Sequence, residues 1–227
     1  MTTNVNFVTA ARLKLSTREK IAESYRKILP VALKILTDRL NLALPILFGD
    51  ASKNLDDLFP TAVQKTKFLT HLLPCVMEEA SKIAGVKYKY VDGIGYDVEF
   101  EVDDDGDISV IVKVEEKAST MDPDGSAATF ATGNCYSQVK EHLHFVMRLV
   151  NKGNTFTDIF AALVNPAEFK DPISGWKKEG SGNSGFDTFH VSVLDFDSVT
   201  KIFGEVLTVG KKNSKVKYCQ VNYESLV

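Results

Sequence analysis

With 227 residues, 44% of them hydrophobic and 25% charged, the chain is long enough for one domain, residues 1–227, with a sizeable core. Its net charge of −3 and pI near 5.8 exclude a strongly basic field as the dominant feature, while leaving room for local Lys and Arg clusters that contact phosphates. Cys75, Cys135 and Cys219 are odd in number and widely spaced, without CxxC or Cys/His spacing. They read as reduced, mostly buried thiols of a cytoplasmic protein.

The N-terminus carries no basic segment followed by an apolar run, so no secretory signal is expected. Ser16-x-x-Glu19 has capping-box spacing and predicts a helix that stops near Pro30. A second helix is expected over about 31–44; together these helices make up a helical region of about 10–48. The apolar runs "ILPVALKIL" and "LNLALPILFG" are interrupted by Lys34, Asp38, Arg39 and two prolines, so no membrane span fits. A polar loop covers roughly 49–59. A helical pattern then runs from Pro60 to Ala84 through Phe68, Leu72, Val76, Ala80 and Ile83; Pro74 kinks or divides it, and Gly85 ends it.

From residue 86 the period changes to two. "VKYKYV" predicts a first strand, followed by a hairpin over "YDVEFEVDDDGDISVIVKVEEKAS" (96–119). Residues 119–133 read as a loop, and Asn134 as the cap of a helix running to about 151 with Val139, Leu143, Val146 and Val150 on one face. "DIFAALV" predicts a fully buried strand. A Gly/Ser/Lys loop, "DPISGWKKEGSGNSG", leads into a strand at "FDTFHVSVLD". A short helix (about 197–207) and a last strand near "SKVKYCQVNY" complete an α/β fold with a mixed central sheet.

The hairpin constrains its own pairing. Val98, Phe100 and Val102 share one face, and Ile108, Val110, Val112 and Val114 share another; all are even-numbered. Placing both sets on one core requires even residues to pair with even and odd with odd, as a three-residue Asp105-Gly106-Asp107 loop allows. In that register Asp97 lies opposite Glu115, with Lys117 two residues along. Two facing carboxylates destabilise a hairpin unless something such as a divalent cation neutralises them. A different even register puts Lys113 opposite Asp97, as an ordinary ion pair.

An Asp at the start of the second strand of a meander and Glu-x-Lys near the end of the third resemble the PD-(D/E)xK nuclease superfamily. The match is Asp97 with Glu115-Glu116-Lys117, and the order of elements over about 60–195 is similar to that family's αβββαβ core. Tyr96 stands where the family has proline. "TGNCYSQVKEH" is also similar to the region after the active-site strand of several type II restriction endonucleases. The resemblance implies a Mg²⁺-dependent endonuclease that cuts double-stranded DNA, as a homodimer on a short palindromic site. Asp97 and Glu115 would hold Mg²⁺, Lys117 would orient the attacking water, and Glu79 of the long helix would be an accessory ligand. A repair, recombination or phage nuclease with the same core is the alternative within the family. A non-catalytic nucleic-acid- or protein-binding module is the alternative outside it.

DNA contacts are expected from Asn134, Ser137 and Lys140 at a helix N-terminus and from Lys177 and Lys178 in a flexible loop beside Trp176. "GKKNSKVK" (210–217) is a further basic cluster. The acidic turn "EVDDDGDISV" fails as an EF-hand, because Val112 falls where the loop requires glutamate. His71, His142, His144 and His190 show no ligand spacing.

Overall fold

The computed structural model describes residues 6–93, 96–104, 108–120, 129–132, 142–165, 167, 176–178, 187–190, 199–208 and 215–223. The side chains of Lys117, Lys177 and Lys178 lie outside that description, as do Asn134, Cys135, Ser137, Lys140 and the rest of residues 133–141 of the "TGNCYSQVKEH" segment. After a short strand, β1 (Asn6–Val8), and a 3-10 turn, the chain enters one continuous helix, α1 (Leu15–Phe48). The expected stop at Pro30 does not occur, nor do two helices form. Proline inside a helix costs roughly 3 kcal/mol. Each fully buried aliphatic side chain returns about 1.5–3 kcal/mol. Ile21, Ile28, Leu29, Leu33, Leu36 and Leu40 form one buried stripe on both sides of Pro30, so burial wins. The capping box at Ser16 is not formed either: the N-cap is Lys14, without a side-chain cap bond.

The polar segment after α1 contains a helical turn, α2 (Leu55–Leu58), capped by Asn54, which accepts from the Asp56 and Asp57 N–H groups. Helix α3 (Ala62–Ile83) runs through Pro74 undivided. It ends at Gly85, whose φ of 66° lets Val86 N–H reach Ser81 O (2.9 Å) in a Schellman closure.

The meander follows as β2 (Tyr88–Gly93), β3 (Tyr96–Asp104) and β4 (Ile108–Thr120). A short strand, β5 (Thr129–Thr132), lies inside the expected loop. The helix expected to run to 151 is instead strand β6 (Leu143–Lys152) over its described part. Leu143 to Leu149 is buried on both faces between neighbouring strands, and a continuous apolar run satisfies a helical and a strand pattern equally. The buried strand at "DIFAALV" is present as part of β7 (Thr155–Val164). Then come β8 (Trp176–Lys178), β9 (Asp187–His190), β10 (Val199–Phe203), β11 (Glu205–Thr208), β12 (Lys215–Lys217) and β13 (Cys219–Gln220). Strands β10 and β11 replace the short helix expected at 197–207. Thr200 and Ile202 alternate inward against β7, a two-residue period in a segment too short for its helical spacing to decide.

Among the described residues the main sheet has eight strands. Six follow the order β10–β7–β6–β4–β3–β2; β1 pairs with β4 and β13 with β7. Among the described strands only β4/β6 and β1/β4 are parallel, so the fold is α/β with a mostly antiparallel mixed sheet. Helices α1 and α3 pack on each other and on the sheet face that carries Val98, Phe100, Val112 and Val114, forming the core. Among the described residues no helix is long and apolar enough to cross a membrane.

Candidate functional site

The β3–β4 ladder pairs Val98 with Val114, Phe100 with Val112, Val102 with Val110 and Asp104 with Ile108. Even meets even, three residues span the turn, and Lys113 lies opposite Glu99, not Asp97. One step further the same register directs Asp97 toward Glu115, but the ladder has ended there. Beyond Val114 the Asp97 carboxylate accepts the Glu116 N–H through Oδ2 at 2.8 Å. Asp97 therefore closes a fork between two strands.

The fork opens into a pocket on the helix side of the sheet. Its walls are Thr70, Leu73 and Pro74 of α3, Tyr90 of β2 and Phe145 of β6, and its polar groups are Asp97 and Glu116. Glu115 does not line it. That residue is buried on β4, with His144 of β6 as its strand neighbour. The carboxylate brought to Asp97 is the middle residue of the Glu-Glu-Lys run.

Glu116 is clamped from two directions. Tyr25 of α1 donates to Oε1 at 2.7 Å, and Tyr88 of β2 donates to Oε2 at 3.1 Å. Packing fixes both phenols. The Tyr25 ring stacks on Phe145, with centroids 4.0 Å apart and planes 7° from parallel; Tyr88 meets Phe100 edge-on at 5.3 Å. Burial lifts the Glu116 carboxyl to about 7; the charges of Asp97 and Glu115 add to the rise, and the two phenol bonds oppose it. Burial, then the charge of Glu116, pushes both phenols well above their ordinary range.

Glu79 binds Arg39 of α1 on the exposed rim of the helix pair, while the neighbouring Glu78 is the α3 carboxylate whose charge acts on Tyr88. Lys117 sits on β4 with Val146 as its strand neighbour. Lys177 and Lys178 are in strand β8, paired with Thr188 and Asp187, not in a flexible loop. Cys75 is exposed and Cys219 partly buried, which corrects the expectation of mostly buried thiols for Cys75. His142 and His144 are buried at and in β6, where i, i+2 residues share a face, unlike on the helix expected there.

Sequence reasoning missed Glu116, Tyr25 and Tyr88 as a unit, although a signal for Glu116 was present. It is even-numbered, like Val110, Val112 and Val114, so the parity that orients the hairpin also sends it to the helix face.

Among the described residues no group of three or more His, Cys, Asp or Glu side chains is arranged to hold a metal. Asp97 and Glu116 nevertheless bring hard carboxylate oxygens to one pocket, and their mutual repulsion is what a divalent cation relieves. This donor set fits Mg²⁺, which takes one or two carboxylates and keeps several waters. No family model, curated protein or solved structure matches the chain.

Proposed function

We propose that the chain is a Mg²⁺-dependent endonuclease acting on double-stranded DNA, of the PD-(D/E)xK type that its hairpin resembles. The observation that carries this reading is the fork itself: Asp97 bonded at 2.8 Å to the main chain of the Glu115-Glu116-Lys117 run, where β3 and β4 part beneath α3. Asp97 and Glu116 would hold the ion in place of the Asp97, Glu115 and Glu79 set expected from the motif. Bound there, Mg²⁺ supplies charge neutralisation at the scissile phosphate and a more acidic water. The chain's own contributions are the two carboxylates, the apolar walls of Leu73, Pro74 and Phe145 that limit water, and a Glu116 carboxyl poised to gain or lose a proton near neutrality. The resemblance gives Lys117, the next residue on β4, the role of balancing phosphoryl charge. Site-specific cutting of the restriction type, by a homodimer, is the finer form of the proposal; exposed Leu42, Ile46 and Leu47 at the end of α1 offer it an apolar face.

The test is incubation with unmethylated phage DNA and Mg²⁺ beside Asp97→Ala and Lys117→Ala. Discrete fragments from wild type, lost in both variants, support a site-specific enzyme, and a smear supports the repair-type alternative. No cleavage in either Mg²⁺ or Mn²⁺ sinks the nuclease reading. One observation favours a non-catalytic binding module instead: both Glu116 oxygens already accept a phenol, as in a self-sufficient structural cluster.

A further inference from the structure

The N-terminal helix reaches Glu116, which lines the pocket, through the Tyr25 hydroxyl. Tyr25 is fully buried, and its ring lies between Phe145 and Phe100, at 4.0 and 4.9 Å, so the hydroxyl has a single direction. Tyr88, edge-on to Phe100, brings a second hydroxyl from the opposite end of the meander. The two donors occupy different oxygens of Glu116, at 2.7 and 3.1 Å, which fixes the plane of that carboxylate. The same residue's N–H holds Asp97 at 2.8 Å. Each carboxylate oxygen has two lone pairs, so a phenol on each leaves further acceptor capacity on Glu116, which lines the pocket with Asp97.

We infer that Tyr25 and Tyr88 are positioning residues that preset Glu116, and with it Asp97, to receive a divalent cation. The inference rests on the pocket assigned above and extends it to residues of α1 and β2 that the motif does not contain. Partners that orient a metal ligand typically alter metal affinity by about 10–100-fold when removed.

Mn²⁺ is titrated calorimetrically into the full chain without DNA, for wild type, Tyr25→Phe, Tyr88→Phe, the double variant and Asp97→Ala. The expected result is Mn²⁺ binding by wild type, its loss in Asp97→Ala, and about 10–100-fold weaker binding in the double variant. Tyr223→Phe is the control for a purely structural phenol. Its hydroxyl donates to Phe156 O at 2.7 Å, outside the pocket, and its removal is expected to lower stability with Mn²⁺ affinity unchanged. If the double variant does not fold by circular dichroism, the single variants decide. Wild-type affinity in the tyrosine variants, an equal loss in Tyr223→Phe, or no Mn²⁺ binding by wild type overturns the proposal. Parallel cleavage assays separate the two readings: wild type that binds Mn²⁺ without cutting DNA defeats the nuclease assignment alone. A double variant that binds as wild type defeats the positioning role alone.

Discussion

Asp56 and Glu116 are both carboxylates held by hydrogen bonds from distant parts of the chain, yet they shift in opposite directions. Asp56, in α2, accepts from Lys65 and from Asn151 Nδ2 (2.9 Å) on one oxygen and from the Gly153 N–H (2.9 Å) on the other. Partial burial raises its carboxyl, but the bonds from Lys65, Asn151 and Gly153 together with the lysine charge outweigh it, and it falls below its ordinary value. Glu116 accepts two neutral phenols in a partly buried place, and the charges that act on it are those of two acids, Asp97 and Glu115. Its carboxyl rises to about 7. The number of bonds does not set the charge of a buried acid; the presence of one cation among the donors does.

The comparison breaks most visibly at Glu116. Glu116→Ala leaves two buried hydroxyls without their acceptor and opens a cavity, for an expected loss of about 4 kcal/mol in urea unfolding. In wild type the unfolded carboxyl titrates near 4.5 and the folded one near 7, so between those values the folded state binds more protons. Its contribution is therefore present at acid pH and disappears as pH rises through that window. The change is on the order of 3 kcal/mol, measured in chelator as the difference from Glu116→Gln, which cannot titrate. Asp56 has the opposite sign: its contribution is present above the unfolded value and lost as pH falls through the folded one. Asp56→Asn is expected to cost about 1 kcal/mol near neutrality, with the deficit shrinking in acid as wild-type Asp56 protonates. The smallest effect belongs to the exposed Arg39–Glu79 pair. Glu79→Gln should change stability by less than about 0.5 kcal/mol and leave Mn²⁺ binding as in wild type.

How much was legible from residues alone follows the range of the forces involved. The hairpin and its register could be read because β-branched residues alternate cleanly and the acidic turn fixes the count. The end of α3 at Gly85 could be read because one backbone conformation demands glycine. Helix α1 was misread as two, since Pro30 is a local signal and the stripe that overrides it is tertiary. Strand β6 was misread as a helix, since a strand buried on both faces shows no alternation. At the site the motif pointed to Asp97 with Glu115, whereas the pocket is lined by Asp97 and Glu116, the next residue of the same run. Pairing rules assume a ladder that continues, and the ladder stops at Val98–Val114; only the fork makes Glu116 the partner.

The two bonds that define the fork differ in how far the chain must travel to make them. Asp97 and Glu116 are 19 residues apart and belong to one hairpin, a unit that closes in roughly 1–10 μs. Tyr25 and Glu116 are 91 residues apart, and their bond waits for α1 to dock on a formed sheet. During refolding near pH 6, the acid is thus first a solvated, ionised side chain and becomes an enclosed, protonated one only when the helix arrives. Docking of α1 should draw a proton from solution, a signal that an indicator dye in stopped-flow refolding reads directly and that Glu116→Gln removes.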